Sequence, residues 1–327
     1  MARVALESEV NLTVTASISL STDAPMRPMQ RSLNEIAQLT VDATNQPTAT
    51  EIPRILIIKG EVPEHLLAAI YEPMVGFVVQ GSKTISIGDH VIRAKAPSYF
   101  VIPTETPATA RVSQGPDGEP YLSLGLYLND NNLLELFDDS PNDPGNETVS
   151  PSTFASDATE EFVDAWLRLL RLLRTPKHIP ALAPVYEREI LFRVLTGPQG
   201  WRLRQLCLVG GMASKIRRAI RKIRENYAAS IDVRQLANQS GMGVTTFHRQ
   251  FKQITGLSPI QFQKQLRLLE ARKLLVFSDH SVSEAAFKVG YVSASQFNRE
   301  YSRLFGAPPA LDASNLKQLE IKRTPVD

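Results

Sequence analysis

The feature that most constrains this chain is a repeat. QSGMGVTTFHRQFKQITGLSP, residues 239–259, is echoed by VGYVSASQFNREYSRLFGAPP, residues 289–309. Phe247 and Phe297, Arg249 and Arg299, Phe251 and Tyr301, Gly256 and Gly306, and Pro259 and Pro309 are each fifty residues apart. Upstream, Ala237 and Ala286, like Gly241 and Gly290, are forty-nine apart. The second copy therefore carries one extra residue between its glycine and its aromatic, as a duplicated unit does when one turn has changed length.

Each copy predicts helix, glycine turn, helix. Asp232 is placed to cap VRQLANQS; Ser281 and Glu284 have capping-box spacing on VSEAAFKV; Ser293 is placed to cap ASQFNREYSRLF. In a helix-turn-helix the second helix lies in the DNA major groove. Phe247, Phe251 and Ile254, like Phe297, Tyr301 and Leu304, recur at i, i+4 and i+7 and should face a core. Thr245, His248 and Arg249 then share an outward face, as do Ser295, Gln296 and Arg299. These are side chains of the kinds that read base edges: Arg suits guanine, Gln suits adenine, and Ser and Thr adapt to either. The run IQFQKQLRLLEARKLLVF, residues 260–277, predicts a helical rod between the units, roughly 27 Å long at 1.5 Å per residue. Such a rod suits two reading helices set about one DNA turn, roughly 34 Å, apart.

Charge supports a polyanionic partner. The formal net charge of +2 conceals 16 Lys and Arg against 6 Asp and Glu over 215–305, and 17 against 25 over 1–213. A basic half joined to an acidic half suggests two jobs. The length of 327 residues fits two domains. The lone cysteine, Cys207, rules out a disulfide framework and in its apolar setting reads as a buried thiol. No apolar run is long enough for a membrane span, and the first thirty residues lack a secretory signal, so a cytoplasmic protein with a loose start is expected.

The acidic half changes character along its length. Ser32 and Glu35 have capping-box spacing on a short helix over 32–41. From Arg54 to Leu128, strand-sized runs rich in Val, Ile, Tyr and Phe alternate with Gly and Pro, and the dipeptides at 88–89 and 117–118 mark hairpin turns. They predict a small antiparallel barrel or sandwich. Residues 138–156 read as a surface loop. Helical periodicity returns in DATEEFVDAWLRLLRLLR, with Phe162, Trp166, Leu169, Leu170 and Leu173 on one face, and in PVYEREILFRVLTG, bounded by Pro184 and Gly197. These faces read as core, part of which could instead form a dimer seam.

The residues LANQSGM, F-x-R-x-F at 247–251, TGLSP at 255–259, EAAFKVGY at 284–291, SQFNREYSRLFG at 295–306 and Pro309 resemble the AraC/XylS family of bacterial transcription regulators. The resemblance implies a DNA-binding domain over 210–310, with Thr245, His248, Arg249, Ser295, Gln296 and Arg299 facing the bases. Two departures stand out: Gly243 replaces a frequent capping serine, and Leu311 and Asp312 follow Ala310 where an aromatic-basic pair is usual. The stretch 184–206 resembles the sensor domain of one subgroup. It implies a cupin-like barrel with flanking helices in a sensor and dimerisation domain over 31–209, between tails at 1–30 and 311–327. The expected whole is α+β: a barrel, then two helix-turn-helix units joined by a long helix.

The resemblance also implies partners: double-stranded operator DNA, a small-molecule effector in the barrel, a second copy of the chain, and RNA polymerase, with no membrane. Cupin-like barrels can also hold catalytic metals, which needs several ligands converging on one site. Residues 54–128 offer only His65 and His90, without a His-x-His pair, and no phosphate loop or nucleophile elbow appears. The expectation is a regulator rather than an enzyme, with no catalytic residues, cofactor or metal; a constitutive DNA binder without a ligand is the alternative.

Overall fold

The computed structural model describes residues 27–62, 67–128, 153–203 and 212–321. His65, Cys207 and most of the expected N-terminal tail lie outside these. The first helix, α1, spans Pro28–Leu39, opening on a proline whose missing N–H costs nothing there. Ser32 and Glu35 thus sit inside the helix and form no capping box. Glu35 is instead gripped by both arms of Arg171, each at 2.8 Å.

Ten strands follow: β1 Thr48–Ala49, β2 Ile55–Lys59, β3 Ala69–Tyr71, β4 Met74–Gln80, β5 Ser82–Ile87, β6 His90–Lys95, β7 Ser98–Ile102, β8 Thr106–Ser113, β9 Leu122–Tyr127 and β10 Phe154–Asp157. They form a six-stranded sheet, ordered β1-β2-β9-β4-β7-β10, and a four-stranded sheet, β3-β8-β5-β6. Gly88 and Asp89 make the expected two-residue hairpin, since Ile87 pairs with His90. The Asp117–Gly118 turn does not: β8 and β9 belong to different sheets, so this loop crosses between layers. Of the expected surface loop, residues 138–152 lie outside the described residues. Residues 154–157 form an edge strand on β7 because Phe154 is buried, 3% exposed, against the core.

Alternation sorts the side chains of the large sheet into two cores. Val75, Phe77, Tyr99 and Val101 face the helical layer, which comprises α1, α2 (Glu160–Arg171) and α3 (Ile179–Thr196). Phe77 meets Phe162 edge-on at 5.3 Å, with Trp166 beside them. Met74, Val78, Phe100 and Ile102 point the other way, and with Ile85, Ala94, Ala108 and Ala110 of the small sheet they line the barrel interior. The third helix starts five residues before Pro184, which lies within it. That proline forfeits one intrahelical bond, a cost offset by the buried Ile190, Leu191, Val194 and Leu195. Arg54, at φ 68°, reaches across from the sheet to pair with the buried Glu187 of α3.

The remaining helices are α4 Met212–Glu225, α5 Val233–Gln239, α6 Val244–Thr255, α7 Pro259–Phe277, α8 Val282–Lys288, α9 Ala294–Phe305 and α10 Pro309–Ile321. The repeat is visible as offsets: α5 and α8 start 49 residues apart, α6 and α9 50 apart. Residues 309–321, placed largely in a C-terminal tail by the sequence, are helical. The reason is Asp312, buried against the rod, as described below.

Candidate nucleic-acid interface

The second helix of each unit is fixed by its ends and its apolar face. The chain closes α6 at Gly256 and α9 at Gly306, each at φ 78°, a left-handed cap that glycine adopts without strain. Ser293 caps α9 by accepting the Gln296 N–H at 3.3 Å, whereas α6 begins at Gly243 with no side-chain cap. Asp232 and the Ser281–Glu284 capping box hold the first helix of each unit. Phe247, Phe251, Phe297 and Tyr301 are fully buried. Leu304 is only partly so.

With those faces buried, Thr245, Arg249, Ser295 and Arg299 are exposed and His248 and Gln296 half-buried. Each set of three lies on one face of its helix. Gln296 is not free: its amide donates to Glu300 at 3.1 Å, and Glu300 also accepts from the Tyr291 hydroxyl at 2.8 Å and Lys264 at 2.7 Å. Burial favours protonation of Glu300, but hydrogen bonds from Lys264, Tyr291 and Gln296 outweigh it and hold its carboxyl below the ordinary range. The network orients Gln296 while leaving its second N–H and its oxygen available, since a primary amide has two donors.

The rod α7 sets the distance between the units. Its 19 residues span roughly 28 Å at 1.5 Å per residue. Arg267, midway along, donates to the carbonyls of Tyr227 (2.7 Å), Ala228 (3.0 Å) and Ala229 (2.9 Å) in the first unit. It also donates to Gly290 (2.9 Å) in the turn of the second. The two units touch here: a Cβ added to Gly290, at φ 89°, would sit 1.9 Å from the Ala228 carbonyl oxygen. Sequence reasoning missed Arg267, because a carbonyl clamp looks like any other basic residue on a helix. Arg267→Met is expected to cut operator affinity about tenfold, ~1.4 kcal/mol, by loosening a preorganised pair. Fluorescence anisotropy on operators with altered half-site spacing should then find less discrimination between spacings; unchanged discrimination would remove Arg267 from this role.

A second missed group is basic. Lys215, Arg218 and Lys222, at i, i+3 and i+7 on α4, line a shallow cleft beside the first turn, and Lys222 donates to Gln239 at 2.7 Å. Their helical spacing was the available signal, and their chemistry suits phosphates.

The first unit also rests on the barrel. Its core is continuous with the barrel interior, whereas the second unit has its own. A Cβ added at Gly88 would lie 2.6 Å from Leu257, and one at Gly256 3.2 Å from Ile87, so the β5–β6 hairpin abuts the end of α6. Arg224 pairs with Glu105 at 2.5 Å across the same junction.

Residues 51–202 match the family model of the AraC-type transcriptional regulator N-terminus, and residues 236–311 match that of a helix-turn-helix domain. The HTH-type transcriptional activator RhaS of Salmonella schwarzengrund (strain CVM19633) is 35% identical over 133 residues, 40% of this chain and 45% of the relative. The alignment thus spans less than half of that curated relative. The crystal structure of an apo ToxT variant from Vibrio cholerae strain SCE256 is similar over 83% of this chain and 99% of that chain, with a TM-score of 0.50 and 7% identity, a likeness of fold. The DNA-binding domain of AdpA, crystallised with a target DNA, is 29% identical and covers 33% of this chain and 97% of that chain, with a TM-score of 0.32.

Proposed function

Since the chain belongs to the AraC/XylS family of transcriptional regulators, we propose that it binds operator DNA sequence-specifically and does so under the control of a small effector held in its barrel. The observation that carries this is the duplicated unit: two exposed polar faces, one per copy, locked to a single rod by Arg267. Thr245, His248 and Arg249 read one major groove and Ser295, Gln296 and Arg299 the next, while Lys215, Arg218 and Lys222 hold phosphates.

The proposed division of labour places sensing and dimerisation in 31–209 and DNA binding in 210–310. The barrel–hairpin junction supplies the coupling. An effector that shifts the packing of β5 acts on Leu257 and so on α6, because the two elements are in van der Waals contact. Among the described residues no helix is long and apolar enough to cross a membrane. The proposed setting is the bacterial cytoplasm, and no enzymatic activity belongs to this reading. RNA polymerase is a further proposed partner, and exposed Phe287 and Val292 offer it apolar surface beside the second unit.

The test is anisotropy of the intact protein on DNA upstream of its own gene and its neighbours, with scrambled competitor. Competitor-resistant binding is expected; binding indifferent to sequence and governed only by salt would overturn the proposal. For the proposed homodimer, Leu182, Val185 and Phe192 form an exposed apolar stripe on α3. Phe192→Glu is expected to weaken self-association at least tenfold in analytical ultracentrifugation, and an unchanged dimer would place the seam elsewhere.

A further inference from the structure

The barrel interior contains a buried cation with no counter-ion among the described residues. Lys83, on β5, is 3% exposed. Its ammonium lies 4.9 Å from the centre of the Tyr71 ring and 5.0 Å from that of Phe100. Among the described residues no carboxylate pairs with it. Burial pushes its ammonium down to about 8. Beside Tyr71 lies Tyr121, 1% exposed, whose hydroxyl makes no bond of full hydrogen-bond geometry and has only the Ser123 side chain near it. Tyr71 is spoken for, since its own hydroxyl donates to the Leu67 carbonyl at 3.2 Å.

A buried ammonium is costly unless it is paired, and ring faces compensate for only part of that cost. A buried hydroxyl without a well-formed hydrogen bond, beside the same Tyr71, is a second cost. Both are removed by one acceptor-only monoanion. Met74, Val78, Ile85 and Ile102 belong to the same apolar core as Tyr71, Phe100 and Tyr121, and their side chains suit a hydrocarbon tail. One ammonium and one hydroxyl fit a carboxylate; a phosphate dianion demands more donors.

We infer that the barrel holds the carboxylate of an amphiphilic small molecule, with Lys83 as counter-ion, Tyr121 as hydrogen-bond donor and Tyr71 and Phe100 framing the head group. The inference rests on the effector reading above and names the effector's chemistry. It also gives the effector a route to DNA. Lys83, Ile85 and Ile87 share the inward face of β5, and Ile87 lies next to Gly256 at the end of α6. An anion that draws Lys83 off its rings shifts the strand on which the first reading unit rests.

The test uses the full chain and three acids, octanoate, 4-methylpentanoate and 3-phenylpropanoate, each beside its neutral amide. At roughly 100-fold excess over the dissociation constant, at least one acid should raise the unfolding midpoint by roughly 5 °C, and its amide should not. Lys83→Met should abolish that shift, and Tyr121→Phe should weaken binding about tenfold. Without any ligand, Lys83→Met should raise the midpoint, because an apolar side chain of similar length replaces an uncompensated charge. Acids and amides that act alike, or not at all, overturn the assignment; so does a Lys83→Met protein that is less stable than the parent. The acid–amide contrast on the unaltered chain decides the matter if the variants fail to fold. Operator titrations separate this from the effector reading. Acids that bind but leave operator affinity unchanged establish the site and refute the effector role. A metabolite extract that alters operator affinity equally in the parent and Lys83→Met refutes the carboxylate and leaves the effector role intact.

Discussion

Alanine at both Arg249 and Arg299 should lower operator affinity by about 2–6 kcal/mol, a loss of roughly 30-fold to more than 10⁴-fold, by summing ~1–3 kcal/mol for each of the two proposed base contacts. The two positions are exposed on equivalent faces of α6 and α9, so each variant removes a guanidinium without opening the core behind it. A guanidinium can donate two parallel hydrogen bonds to one guanine edge, and no other base offers that pair of acceptors in the major groove. Losing it costs affinity and also relaxes preference at that base pair. Binding to scrambled DNA should fall far less, because it depends on phosphate contacts, and the proposed ones from Lys215, Arg218 and Lys222 are left intact. Alanine at both Arg93 and Lys95 removes the same two charges from the barrel surface and serves as control. Anisotropy on the operator and on scrambled DNA measures all of this. A double variant that binds the operator like the parent would mean that another face of these helices meets the bases.

Asp312→Ala should be the most damaging substitution for the second unit, at about 3–5 kcal/mol. Asp312 takes both arms of Arg272 on the rod, at 2.8 and 2.9 Å, and accepts the Tyr301 hydroxyl at 2.7 Å. Its side chain and that of Arg272 are 10% and 12% exposed. Arg272 also stacks on Phe305 at 4.3 Å. Burial, and then the bond to Asp312, push the Tyr301 hydroxyl well above the ordinary tyrosine range, so it stays a donor at any working pH. Removing the carboxylate strands a guanidinium and a hydroxyl in the core, which costs more than the pair itself contributes. Urea unfolding should record the loss, and operator binding should weaken because α9 is held by the same network. Asp312→Asn keeps the shape and one acceptor and should lose about half as much. Equal stability of the parent and Asp312→Ala would show that the pair is already screened by solvent.

Asp312 also marks the boundary of what the residues alone reveal. In the sequence it is a departure from the usual pattern after the second proline; folded, it is the anchor that turns 309–321 into a helix packed on the rod. The same holds for Arg267 and Lys83. One is a basic residue among many on a helix, the other a polar residue in an alternating strand, and nothing nearby in sequence tells a carbonyl clamp or an unpaired buried ammonium from a solvated side chain. Their partners lie 23–40 residues away for Arg267, and Lys83 acquires its environment from β3 and β7.

What the sequence determined is everything that depends on near neighbours along the chain. Helix starts at Asp232, Ser281 and Ser293 follow from side chains capping N–H groups two or three residues on. The buried faces of α6 and α9 follow from helical spacing, and the β5–β6 hairpin from a two-residue turn. The two helix-turn-helix units were legible for that reason, and their duplication made them doubly so. Tertiary structure decided the rest: that β8 and β9 part into different sheets, that the units are locked together at Arg267 and Gly290, that the first unit shares its core with the barrel, and that Lys83 is buried inside it. These depend on which distant surfaces meet. Burial and pairing energies are set by that meeting, and no local pattern of residues carries them.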